Sequence, residues 1–321
     1  MTSNRIKNFK DFSGQPKVVK SLLITLEAAR QKKTTPEHVL FYGPPGLGKT
    51  SLAYIIANDL GTNLKTVTGP SLTRAGDLAS ILTNLEEGDV LFIDEIHRLN
   101  KTVEEALYSA MEDFVLDIIL GKGPAARPLR LEINPFTLIG ATTRVGMLSK
   151  PLRDRFGLIH RLRFYKPETL TNILIQDAGK QNIKLDDETA NTIASRSRGT
   201  PRIALKLLRR VLDFCQVEHR SAPTPELTQK ALDFYQVDEA GLDETDRHML
   251  ETIIKEHKGG PVGLETLSAI ISEDKETIKE VYEPFLLQEG FLTRTPRGRV
   301  VTPKAYRHLR IDYNNFKNNS P

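Results

Sequence analysis

The sequence predicts an α/β fold, a parallel sheet with flanking helices over residues 1–165, followed by a small all-α region and a third unit of helices and a hairpin. Three observations carry this. The apolar run Val39-Leu40-Phe41-Tyr42 enters a glycine-rich loop, Gly43-Pro44-Pro45-Gly46-Leu47-Gly48-Lys49-Thr50, that opens a helix. A second run, Val90-Leu91-Phe92-Ile93, is apolar throughout, as parallel strands covered on both faces are, and it ends in Asp94-Glu95. From Lys166 onward the periodicity is helical, until two short strand patterns flank Thr295-Pro296-Arg297-Gly298.

Composition bounds the rest. The 321 residues suffice for two or three domains, and a net charge of +4 is too small an excess to indicate nucleic-acid binding without regard to its location. The single cysteine, Cys215, excludes an internal disulfide and a multi-cysteine zinc site and reads as a core thiol. No signal pattern and no apolar run of membrane-spanning length is found, so a cytoplasmic protein is expected.

Residues 1–14 are polar and basic, and a helix starts at Gln15-Pro16 with Val18, Val19, Leu22, Leu23 and Leu26 as its apolar stripe. In the loop that follows the first strand, Gly43, Gly46 and Gly48 let main-chain N–H groups turn inward. The next helix, marked by Leu52, Ile55, Ile56 and Leu60 and closed by Gly61, adds its positive N-terminus. This is a triphosphate cradle. Lys49 reaches the β- and γ-phosphates, the Thr50 hydroxyl ligates Mg²⁺, and Ser51 is the next hydroxyl in line. Leu64–Thr68 reads as a second strand and 77–85 as a helix. Ligands of open α/β sheets bind at the carboxyl ends of strands, so Asp94 and Glu95 belong beside the nucleotide. Asp94 is the candidate metal partner and Glu95 the candidate base for the attacking water.

Thr102-Val103-Glu104-Glu105 has the pattern of a capping box opening a helix to about Phe114. Val115–Ile119 and Leu129–Ile133 then read as a projecting hairpin around Gly121–Arg127. Its apolar residues Val115, Ile118, Ile119, Leu129 and Leu131 either cover the sheet or dock a partner. Thr137–Ala141 is another buried strand, ending in Thr142-Thr143; one of these hydroxyls can meet the γ-phosphate or the water, with Thr143 preferred. Pro151–Gly157 starts a short helix with Arg153 and Arg155. An arginine can stabilise phosphoryl transfer from a neighbouring subunit, the structural alternative being an Arg–Asp pair within the chain.

Beyond Lys166, helices open at Pro167, after Asp186, at Gly199-Thr200-Pro201-Arg202 and at about 225. Arg202 lies in a first turn, where a cation is unfavourable unless an anion faces it, which makes it a candidate phosphate sensor. Val237–Gly241 reads as a linker. Helical patterns at about 243–257, 264–272 and 275–289, the last interrupted at Pro284, together with the hairpin suggest a winged helix. From Arg294 to Arg310 six Arg/Lys occur without a carboxylate, a tip suited to phosphate contacts without base readout.

GPPGLGKT, LFIDEIHRL, GATTR, PLRDRFG and RGTPRIA, in this order, resemble the AAA+ ATPases, and within them the RuvB family, over nearly the whole chain. The resemblance implies an AAA+ P-loop NTPase core at 1–165, a helical lid at 166–236 and a winged-helix DNA-binding head at 239–321. It implies an ATP hydrolase with Mg²⁺ that drives branch migration of Holliday junctions as a hexameric ring on duplex arms, with RuvA and the resolvase RuvC as partners. By it, Lys49, Thr50, Asp94 and Glu95 keep the roles above, Arg155 becomes an arginine finger in trans with Arg153 beside it, and Arg202 the lid sensor. Arg5, Tyr165 and the stretch Glu112-Asp113-Phe114 match positions associated with nucleotide. The 115–133 hairpin matches the element that docks RuvA, and Arg294 and Arg299, with Arg297 between them, match DNA contacts. Where the family has Leu-Arg-Pro this chain has Asn4-Arg5-Ile6. A nucleotide-switched DNA loading factor is the rival expectation.

Overall fold

A computed structural model describes residues 6–120, 127–220 and 222–313, with backbone alone at 118–120 and 127–128. The chain forms two compact units, Met1–Arg163 and Phe164–Pro321. Arg5 and Gly121–Ala126 lie outside the described residues, as do the side chains of Ile118 and Ile119.

The first unit runs α1 (Pro16–Lys32), β1 (Val39–Tyr42), α2 (Lys49–Leu60), β2 (Leu64–Thr68), α3 (Ala75–Leu82), β3 (Val90–Asp94) and α4 (Lys101–Glu112). It continues with β4 (Val115–Leu120), β5 (Arg127–Glu132), β6 (Thr137–Thr142), α5 (Lys150–Asp154) and β7 (Leu158–Arg161). The sheet has the order β2-β3-β6-β1-β7 and is parallel throughout. β6 is wholly buried and β1 and β3 nearly so, which is why their sequences carry no polar alternation; the outer strands β2 and β7 keep exposed positions. On α4, Val103, Ala106, Leu107, Ala110 and Met111 form the buried stripe that a 3.6-residue repeat requires.

The boundaries of α3 and α4 differ from expectation. The helix expected at 77–85 begins at Ala75, because the Asp77 carboxylate reaches back to the N–H groups of Thr73 and Arg74. The capping residue of α4 is Asn100, whose side chain accepts from Val103 N at 3.0 Å, so Thr102 already lies inside the first turn. β4 and β5 pair as the expected hairpin, with Leu116 buried at its root and Leu131 packed against the same core.

His38 fastens the strands to α4. Its Nε2 lies 3.0 Å from the Met111 carbonyl and its Nδ1 accepts from Leu138 N at 2.9 Å, so the ring is the neutral Nε2–H tautomer. Burial lowers its pKa from the ordinary 6.5. Between the lowered value and 6.5 the unfolded chain binds more protons than the folded one, so this contribution is present above 6.5 and is lost as pH falls below it. The thermal midpoint of the first unit should therefore drop on acidification from pH 7 to 5.5. A His38→Gln variant should show less of this dependence, and an equal slope in both would remove the assignment.

The second unit opens with four helices, α6 (Pro167–Lys180), α7 (Asp187–Ser195), α8 (Pro201–Val217) and α9 (Pro225–Phe234). Asp186, Thr200 and Thr224 cap the last three. Cys215 is buried within α8. Then come α10 (Glu244–His257), α11 (Leu264–Ile271), α12 (Lys275–Thr277), a π-helical turn at Ile278–Tyr282, α13 (Glu283–Gln288), β8 (Leu292–Thr295), β9 (Gly298–Val301) and α14 (Pro303–His308). Pro284 sits in the first turn of α13, and the irregularity expected at it falls just before it. Its ring and missing N–H disrupt the bonding of the preceding turn, which widens to π. Leu250, Ile253, Leu267, Leu286 and Phe291 form the core of this winged helix. Among the described residues no helix is long and apolar enough to cross a membrane.

Candidate functional site

The carboxyl ends of β1, β6 and β3 lie side by side and set out the site. Tyr42 is in register with Thr142, Ile93 with Gly140, and Gly43 N donates to the Thr142 carbonyl at 3.2 Å. The loop after β1 thus starts against the end of β6. Gly43 is held there with φ +140°, and a Cβ at this position would stand 2.6 Å from the Leu162 carbonyl oxygen, so only glycine fits. Lys49, buried at the start of α2, donates from Nζ to the carbonyls of Gly43 and Pro44, both at 2.8 Å. The lysine closes the loop around its own side chain. Gly46 and Gly48, both with positive φ, complete the turn into α2, and Thr50 and Ser51 lie in its first turn, where the helix dipole favours an anion.

Asp94 ends β3 and accepts from Glu95 N at 3.0 Å, while Glu95 adopts a left-handed φ of 49° and pairs with Arg98 at 3.1 Å. Thr50 and Asp94 are hard oxygen donors of the kind magnesium prefers. The two threonines at the end of β6, Thr142 within the strand and Thr143 just past it, differ. The buried Thr142 hydroxyl lies 3.0 Å from His97 Nδ1 and accepts from Arg144 N at 2.9 Å, whereas Thr143 is half-buried one residue further toward the loop end. His97 escaped the sequence reading, although its place two residues after Glu95 was a usable signal.

A second group gathers at the ends of α4 and α5. Arg155 caps α5, pairs with Glu112 at 2.8 Å, donates to the Pro151 carbonyl at 2.9 Å and stacks over the Tyr108 ring at 4.4 Å. The intrachain alternative expected for it was an aspartate; the actual partner is Glu112. Arg153 is half-buried on α5, Asp113 is exposed and Phe114 packs edge-on to Phe136 at 6.1 Å. Arg155 is thus tied to the 112–114 stretch through Glu112, while Phe114 packs against the core. Among the described residues, none of Arg155's bonded partners belongs to the phosphate loop.

Tyr165 and Arg202 belong to the second unit. Tyr165 is buried, with its N–H on the Gly199 carbonyl at 2.8 Å; Arg202 is exposed in the first turn of α8, next to the Thr200 cap. In the hairpin β8–β9, Arg294 stands directly opposite Arg299. The repulsion of this cross-strand pair is removed by Glu283 of α13, whose buried carboxylate binds both guanidinium groups. Arg299 is buried and points inward, against the expectation of a uniformly presented basic tip, while Arg297 is exposed at the turn and Arg294 half-exposed. The carboxylate missing from residues 294–310 comes from a helix earlier in the chain.

Family models match the chain in three segments: the Holliday junction DNA helicase RuvB P-loop domain at residues 4–162, the RuvB AAA lid domain at 165–238 and the RuvB C-terminal winged helix domain at 239–310. The solved structure of the Thermotoga maritima RuvB Holliday junction branch migration motor is similar at 50% identity and a TM-score of 0.87, over 96% of this chain and 98% of that one. A point variant of the same protein matches at 51% and 0.89, over 96% and 99%. With the phosphate loop, the acidic strand end and the winged helix all in place, the chain belongs to the RuvB family of Holliday junction DNA helicases.

Proposed function

We propose that this chain is an ATP-driven motor that moves duplex DNA through a ring of its own copies, promoting branch migration of Holliday junctions in the cytoplasm. The observation that carries the reading is the alignment of the phosphate loop, Asp94-Glu95 and Thr142-Thr143 on three adjacent strand ends in a chain with a winged-helix head. Lys49 and the N-terminus of α2 bind the triphosphate. Mg²⁺, held by Thr50 and Asp94, would supply charge neutralisation at the β- and γ-phosphates. Glu95 orients and deprotonates the attacking water, and Thr143 serves the γ-phosphate, a choice supported by the engagement of the Thr142 hydroxyl with His97. Arg155, with Glu112, Asp113 and Phe114 around it, serves the nucleotide of the next subunit in a hexamer, and Arg202 and Tyr165 report its state to the lid. The large ATPase domain, lid and head divide at 1–165, 166–236 and 239–321, Arg5 completes the nucleotide site, RuvA docks on the 115–133 hairpin, and RuvC acts on the same assembly.

The test is ATP-dependent conversion of a synthetic four-way junction with homologous arms, with and without RuvA, using Glu95→Gln as the inactive control. Conversion to duplex products supports the motor. DNA-stimulated hydrolysis without conversion, even with RuvA, points to a loading factor.

At the head, Arg297 and Arg294 take the phosphate contacts and Arg299 positions the hairpin. Arg297→Ala should weaken duplex binding about equally for all sequences and flatten the log K against log salt slope by about one. An unchanged slope would place the DNA surface elsewhere.

A further inference from the structure

The linker expected at Val237–Gly241 is not slack. Asp238 accepts from Ala240 N and Leu242 N at 2.9 and 2.8 Å, and also bonds His308 Nε2 at 2.8 Å from the far end of the winged helix. Arg247 of α10 donates from Nη1 to the carbonyls of Gln236 and Leu242 at 3.0 and 2.8 Å. Gly241 has φ +77°, and a Cβ there would lie 2.6 Å from the Arg196 carbonyl oxygen, so the turn is pressed onto the four-helix bundle.

Arg198 closes this junction from the bundle side. It is buried, adopts φ 51° in the turn between α7 and α8, and donates from Nε to the Gly241 carbonyl at 2.8 Å. Its Nη2 pairs with Asp243 at 2.8 Å and also with Asp246, and its guanidinium lies 5.4 Å from the Phe285 ring centre. Asp243 and Asp246 are the N-cap and third residue of α10, where they cap each other's backbone N–H groups. One cation thus binds both carboxylates in the first turn of the winged helix's leading helix, while Asp246 Oδ1 has no hydrogen-bond partner among the described residues. Burial pushes the Asp246 carboxyl up to about 7, against the opposing pull of Arg198, so the carboxylate depends on this partner. The same turn of the chain continues through Gly199 to the Thr200 cap and Arg202. Beyond Phe285, α13 carries Glu283, which holds Arg294 and Arg299 of the wing.

We propose that Arg198 is a positioning residue that locks the lid and the head into one rigid body, so that a rotation imposed on the lid by nucleotide arrives undiminished at the wing. Its mechanical role rests on the motor reading above; the rigidity itself does not.

The experiment uses the full chain with spin labels at Lys206→Cys and Lys279→Cys in a Cys215→Ser background, measuring the lid-to-head distance with and without ATP. In the parent a single narrow distribution is expected in both conditions. Arg198→Met should widen it several-fold. In the corresponding unlabelled protein, ATP hydrolysis should stay within about twofold while junctions converted per ATP fall tenfold or more. Arg198→Lys keeps the charge but loses the forked geometry, and should be intermediate on both readouts. It serves as the deciding variant if Arg198→Met does not fold. A broad parent distribution, or narrow ones in both variants, overturns the proposal. If the distances behave as expected while the parent converts no junctions, the clamp stands and the motor reading fails.

Discussion

Arg155→Ala is expected to lower ATP turnover by ~10³–10⁵-fold while leaving ATP affinity nearly unchanged, the range an arginine finger contributes to phosphoryl transfer. The structure gives a reason for separating the two effects. Arg155 bonds to Glu112 and Pro151 and stacks on Tyr108, at the ends of α4 and α5, and takes no part in closing its own phosphate loop. Its removal should cost little locally, because Glu112 is exposed and can be solvated. Arg155→Lys keeps the charge without the planar fork and should recover only a small part of the rate. A mixing experiment tests the supply in trans. In the proposed ring, Arg155→Ala and Lys49→Ala chains should each be inactive alone, whereas a mixed ring would contain interfaces with an intact loop on one side and an intact arginine on the other. Recovery of turnover on mixing is the expected result. Wild-type turnover in Arg155→Ala alone would remove the arginine from the mechanism.

Lys49→Ala should abolish function at an earlier stage. Its ammonium bonds two carbonyls of its own loop, and in the proposed site it redirects these donors to phosphate as charge-assisted hydrogen bonds when nucleotide binds. Two such bonds at roughly 1.5–3 kcal/mol each correspond to a loss in ATP affinity of ~10²–10⁴-fold. The check is ligand-induced stabilisation. Wild-type protein at about 100 times Kd should gain about 2.7 kcal/mol, and Lys49→Ala at the same ATP concentration should gain almost nothing. Equal stabilisation of both would show that the loop does not bind the triphosphate through this residue.

What was legible in the sequence and what was not divide on contact range. The loop at 43–50 and the acidic end of β3 could be read because each is a contiguous strand-then-turn unit, whose backbone geometry is dictated by glycine and by an unbroken apolar run. The helix stripes could be read for the same local reason. The pairings that set the polarity of the surface are not local. Arg155 finds Glu112 across 43 residues and Arg198 finds Asp246 across 48, and neither separation leaves a periodic trace. Glu283 shows this most clearly. The basic segment was read as uncompensated because its partner precedes it by 11 and 16 residues on another element. His97 is an intermediate case, close in sequence to Glu95 but defined by its contact with Thr142 on β6.

The internal carboxylate under the wing also bears on how the molecule travels. A surface with three fully presented arginines would release more counterions per contact and hold the duplex strongly in every register. With Glu283 balancing Arg294 and Arg299, the wing carries less net charge than its sequence suggests. In the proposed ring this balance would lower the force that each head exerts on the backbone, and grip on the duplex would come from the number of heads bound at once rather than from the strength of any one.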